Sequence, residues 1–116
     1  MKSILDLCRQ LPGSEPELRE RAEELDEAVR LATEPETTGR QYLRCIADAK
    51  DATDATVQKG FDCHIYTIDG SKYTVTHDLE GAPADDPVVV HATASTEELA
   101  RSAAALLAVE AMKGGK

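Results

Sequence analysis

The chain has 116 residues, and 22 acidic against 13 basic side chains give it a net charge of −9. That length fits one domain with a real core and leaves little room for a second. The acidic excess disfavours phosphate-directed binding of nucleic acid or anionic membrane, and no apolar run approaches a membrane span.

The start, Met1-Lys2-Ser3-Ile4, lacks the apolar core of a signal peptide. Cys8, Cys45 and Cys63 are isolated, odd in number and without a Cys-x-x-Cys pair. Ordinary buried thiols in a reducing, cytoplasmic setting are expected. The acidity is uneven. Residues 1–36 hold five basic against ten acidic groups and residues 61–95 one against six, while the remainder is close to balanced.

A short helix is predicted over residues 3–11, where Ile4, Leu5, Leu7, Cys8 and Leu11 are apolar and Pro12-Gly13 ends it. Ser14-Glu15-Pro16-Glu17 fits a capping box with proline in the first turn. It opens a second helix running to about Thr33, with Leu18, Ala22, Leu25, Val29 and Ala32 as a narrow apolar stripe. Glu20, Glu23, Glu24 and Glu27 gather on the opposite side, partly repelling one another at i,i+4 spacing. After the Glu34-Pro35-Glu36 break, Thr37 or Thr38 caps a third helix. Its buried face reads Tyr42, Cys45, Ile46, Ala49, Thr53 and Val57, and its weak propensity after Lys50 predicts an early end. Gly60 stops it.

Phe61–Leu79 reads as a hairpin: two alternating β-branched and aromatic runs around Asp69-Gly70. Odd positions are apolar in both runs, so a shared buried face requires partners of like parity. A two-residue Asp69-Gly70 loop would break that parity. A three-residue loop, Ile68-Asp69-Gly70 with Gly70 left-handed, keeps it and pairs Ile65 with Tyr73 and Cys63 with Val75. His64 and His77 then fall on opposite faces. The stretch 80–87 is a loop by composition, and residues 88–92 read as a third, central strand. Ser95 or Thr96 caps a final alanine-rich helix from Glu97 to about Lys113, with Gly114-Gly115-Lys116 fraying.

The expected fold is therefore α+β, in the order α-α-α-β-β-β-α, with a three-stranded antiparallel sheet packed against helices. It forms a single domain over 1–116, a helical half at 1–59 and the hairpin, third strand and last helix at 60–116. The run helix-strand-strand-strand-helix resembles the order of double-stranded-RNA-binding domains. The lysine-rich helix start by which that family grips phosphate is replaced here by Thr96-Glu97-Glu98-Leu99-Ala100-Arg101. The resemblance covers the order of elements in the second half and implies no site residues.

No phosphate loop, dinucleotide fingerprint or EF-hand spacing is present, and no cofactor is expected. His64, His77 and His91 are the weak candidates for a metal site, with Asp62, Cys63 and Asp78 nearby. Neighbours on a strand point to opposite faces, so ordinary strand histidines are expected instead. A Cys63–histidine nucleophile pair lacks an orienting third group. Two surfaces remain. Glu20, Glu23, Glu24, Glu27, Asp85 and Asp86 could imitate nucleic-acid phosphates and occupy a basic surface on another protein. Asp62, His64, Tyr66 and Thr74 would form a polar sheet face, open if no helix covers it. The expectation is a non-catalytic, protein-binding inhibitor or regulator of a partner with a basic surface, and homo-oligomers are allowed. Phage-type anti-defence proteins share this size and acidity, an analogy only. The rival readings are a small histidine-dependent metal-binding domain or enzyme, and a structural or assembly subunit.

Overall fold

The structure is a computed structural model describing residues 2–68 and 70–115. It runs α1 (Ile4–Arg9), α2 (Glu15–Glu20), α3 (Ala22–Thr33), α4 (Ile46–Gln58), β1 (Phe61–Ile68), β2 (Lys72–Leu79), β3 (Val89–Ala94) and α5 (Glu97–Gly115). The α+β class and the element order follow the expectation, with the expected second helix divided in two. The strands form one antiparallel sheet in the order β1-β2-β3. Among the described residues no helix is long and apolar enough to cross a membrane.

The organising element is α5. From Leu99 to Val109 every residue except Arg101 is buried. A helix apolar on nearly all sides has to be enclosed, and α5 packs against α1, α3, α4, β2 and β3. Ala100, Ala103, Ala104, Ala105 and Ala108 let these neighbours approach closely. The hydroxyl of Ser102, fully buried, is shared between the carbonyls of Tyr42 at 2.9 Å and Glu98 at 2.8 Å, so no polar group is stranded there.

Three helical expectations are corrected. Ser14 does not cap: its hydroxyl donates to the Leu7 carbonyl and ties α2 to α1. The helix expected over 14–33 breaks at Arg21 (φ −109°, ψ 36°). There the guanidinium donates to the Lys2 carbonyl at 2.6 Å, holding the bend against the N-terminal segment, and Leu18 and Leu25 both remain buried. The third helix begins at Ile46 rather than near Thr38. Gly39 sits at φ +70°, a conformation that ends helical geometry and suits glycine. The following backbone is spent elsewhere: Gln41 N–H on Asp48 at 2.9 Å and Leu43 N–H on Asp26 at 3.1 Å. Arg40 holds this corner by pairing with Glu34, Asp48 and Asp51 at once.

α4 also runs on to Gln58 instead of ending near Lys50. It buries Ala49, Ala52, Thr53 and Thr56, while Ile46 and Val57 are exposed at 38% and 42%. Thr53 and Thr56 donate to the carbonyls of Ala49 and Ala52 four residues back, which satisfies their hydroxyls inside the helix. Packing on α5 outweighs the poor propensity of this stretch.

The hairpin keeps the expected parity in a different register. Ile65 pairs with Val75, Cys63 with His77 and Asp62 with Asp78, two residues from the expected pairing. Ile68 closes against Lys72, so the loop spans 69–71; Asp69 itself lies outside the described residues. Gly70 is left-handed (φ +69°), as the turn demands. This register lets the ladder begin at Phe61–Leu79, directly after Gly60, and run through all eight residues of each strand. β3 is an edge strand, not the central one, and Val89 is half exposed. α5 continues through Gly115; Lys116, expected to fray, lies outside the described residues.

Candidate functional site

Both surfaces singled out from the sequence can now be placed. Glu20 ends α2 and Glu23 lies in the first turn of α3, both exposed. Glu24 and Glu27 are gripped by their own arginines: Arg21 donates to both oxygens of Glu24 (3.1 and 2.7 Å) and Arg30 to both of Glu27 (3.0 and 2.9 Å). These bidentate bonds hold both carboxyls below the ordinary glutamate value. A groove of about 320 Å³ beside α3 is lined by Glu23, Asp26 and Glu27 but equally by Arg30, Arg40 and Arg44. Asp26 accepts the Leu43 amide, and burial raises its carboxyl. The charge of this helix face is largely met from within the molecule.

The sheet face is different. α4 and α5 cover one side, burying Phe61, Val75, His77, Ala92 and Ala94. The other side carries Asp62, His64 and Tyr66 from β1, Thr74, Thr76 and Asp78 from β2, and Val89, His91 and Thr93 from β3. Asp62, His64, Tyr66, Asp78, Val89 and His91 are exposed, and no helix lies over them. Its centre is tied together by hydroxyl bonds. The Thr74 and Thr93 hydroxyls bond at 2.9 Å, and the Tyr66 hydroxyl reaches Thr76 at 3.2 Å. Thr74 is consequently buried even though it belongs to the uncovered side.

Carboxylates collect at the end of this face away from the turn. Asp62 is the direct cross-strand partner of Asp78, and such partners stand about 5 Å apart at Cβ. The Glu80 amide donates to the Gly60 carbonyl, which extends the ladder by one step and brings the Glu80 carboxyl to Asp62. Hydrogen bonding to Asp62 and repulsion by it raise the Glu80 carboxyl above its ordinary value. Among the described residues no lysine or arginine pairs with Asp62, Asp78 or Glu80. The next loop lies against Ala111 and Met112 of α5, and Glu80 and Asp86 border the same groove of about 380 Å³. Asp85 is exposed beside Asp86. Asp78 was read from the sequence only as a neighbour of the histidines, and Glu80 not at all, because the register that gathers them is two residues from the expected one.

The histidines do not converge. His64 and His91 are both partners of Thr76, one on each side. Two strand spacings separate their backbones by about 9–10 Å. His77 lies on the opposite face. Among the described residues no three His, Cys, Asp or Glu side chains come together as a metal cluster. The structure does set Cys63 directly across from His77, a pairing the expected register did not contain. Burial raises the Cys63 thiol and pushes His77 down to about 4, so the pair is a thiol and a neutral imidazole. His77 has no exposed surface, stands edge-on to Phe61, and neither ring nitrogen has a hydrogen-bonding partner among the described residues. An activated nucleophile needs the reverse conditions.

What remains is an uncovered sheet face with carboxylates at one end that no lysine or arginine among the described residues pairs with. In comparisons with known proteins no family model, curated protein or solved structure matches this chain, so any reading of that face rests on its geometry.

Proposed function

We propose that this chain is a small, non-catalytic protein-binding domain whose partner presents a basic surface, and that it acts as an inhibitor or regulator by occupying that surface. The observation that carries the reading is the cross-strand Asp62–Asp78 pair with Glu80 pressed against Asp62. Like charges placed directly opposite destabilise a sheet. A cationic partner turns this local cost into differential binding, because lysine or arginine brought between the carboxylates removes the repulsion. The imitation of phosphate expected from the sequence is thereby moved. It passes from α3, where Glu24 and Glu27 are already engaged, to the sheet end and the Asp85-Asp86 loop. Glu20 and Glu23 remain as peripheral charges that steer approach.

The test is calorimetric titration with an oligoarginine peptide, at about 50 mM and about 300 mM salt, spacings that bracket physiological screening. The wild type is expected to bind and to weaken with salt. Asp62→Asn/Asp78→Asn/Glu80→Gln should weaken binding by roughly tenfold or more, since close charge pairs dominate such contacts. Glu20→Gln/Glu23→Gln should have a much smaller effect. Unchanged binding by the sheet variant overturns the reading.

A further inference from the structure

We propose that β1 is a self-pairing edge, and that two copies of this chain join antiparallel along it into one continuous six-stranded sheet. The two edges of the sheet are not equivalent. Beside β3, Arg9 of α1 borders Val89, Val90 and His91, and Pro87 stands just before the strand. Asp62 at one end apart, β1 lacks the proline, lysine and bulge by which edges are protected. Between Phe61 and Ile68 there is no proline and no lysine, the pairing with β2 is continuous with no bulge, and Asp62 is the one charged residue. Residues 64–67 are all exposed, Ile65 at 38% and Tyr66 at 53%.

The hydrogen-bond phase of β1 specifies how a second copy would fit. The Glu80 amide bonds to the Gly60 carbonyl, so by antiparallel alternation the even residues of β1 bond to β2. The odd residues, Cys63, Ile65 and Thr67, therefore turn their amides and carbonyls outward. A two-fold axis at Ile65 pairs Ile65 with Ile65 of the second copy and Cys63 with Thr67, and every outward group then meets a complement. His64 falls opposite Tyr66 of the second copy on the uncovered face. The exposed Ile65 side chains meet on the helix side. Charge does not oppose the pairing: antiparallel register sends the two Asp62 residues to opposite ends, about 20 Å apart, beyond the screening length of about 8 Å at physiological salt. The pairing does not depend on the carboxylates, and it leaves both acidic ends free.

Sedimentation velocity combined with residue-resolved amide exchange tests this. The wild type is expected to sediment as a dimer at high micromolar concentration, with the outward amides of Cys63 and Thr67 protected. Ile65→Lys places a charge at the axis on a side chain that is already exposed. It should yield a monomer whose thermal midpoint matches that of the wild type diluted until it too is monomeric, with at least tenfold faster exchange at Cys63 and Thr67. Val57→Lys, on an exposed patch of α4, should remain dimeric and keep that protection. A monomeric wild type, free exchange of those two amides, or dissociation caused equally by Val57→Lys overturns the proposal.

Discussion

His77 shows how a single side chain can tie stability to pH. Its imidazole has no exposed surface and no hydrogen-bonding partner among the described residues. Burial, with Arg101 adding and the nearby Asp62 backbone opposing, lowers its proton affinity to about 4, against an ordinary 6.5. Because the folded value is depressed, the unfolded chain binds the extra proton first as pH falls. The associated stability is fully present above about 6.5 and is lost on the way down to about 4. Between about pH 7.5 and about pH 5 this group should cost roughly 2 kcal/mol. Urea unfolding at the two pH values should show that loss in the wild type and a clearly smaller one in His77→Leu; equal losses would place the sensitivity elsewhere. Ser102 offers a second check at this scale. Ser102→Ala leaves the buried Tyr42 carbonyl without its donor and should lower stability by about 1–2 kcal/mol. Cys8, buried and raised to about 12, should resist alkylation until the chain unfolds.

At the scale of elements, α4 and α5 depend on small residues. The stripe read from the sequence put Ile46 and Val57 in the core. The structure keeps Ala49 and Thr53 inward as expected but rotates α4 so that Ala52 and Thr56 join them in place of Ile46 and Val57, and the helix meets α5 through alanine and threonine. Val57→Ala should therefore change stability by less than about 0.5 kcal/mol, as at other surface sites. Ala103→Leu forces a larger side chain into a filled contact and should cost about 1–3 kcal/mol. Thermal or denaturant unfolding of the two variants separates the alternatives, since the stripe read from the sequence predicts the larger loss for Val57. The break at Arg21 has a similar origin. Nothing in the local pattern marks it, because it is maintained by a bond to the Lys2 carbonyl, 19 residues away.

For the whole molecule, the charge of −9 matters less than where it is left unpaired. Most carboxylates of the helical half are held by nearby arginines, whereas Asp62, Asp78 and Glu80 share one end of the sheet and pair with no lysine or arginine among the described residues. Neutralising Asp78 alone, as Asp78→Asn, should raise the thermal midpoint while it weakens capture of a basic peptide. That pairing of gained stability with lost binding is expected where repulsion is retained for recognition. A lowered midpoint in calorimetry would mean that Asp78 is a structural residue instead.

Local chemistry alone determined the α+β class, the Gly70 turn and the like-parity hairpin, and with it the separation of His64 from His77. It also determined the final helix with its acidic first turn. Each depends on periodicity, turn residues or caps, which act over a few positions. Tertiary contacts decided the register step that brings Asp62 to Asp78, the late start and the rotation of α4, and the break at Arg21. They also decided the edge position of β3 and which acids are neutralised. Two registers of equal parity bury equally apolar faces, and a carboxylate is satisfied or left bare by residues far away in the chain. Only the folded packing around α5 chooses between those alternatives.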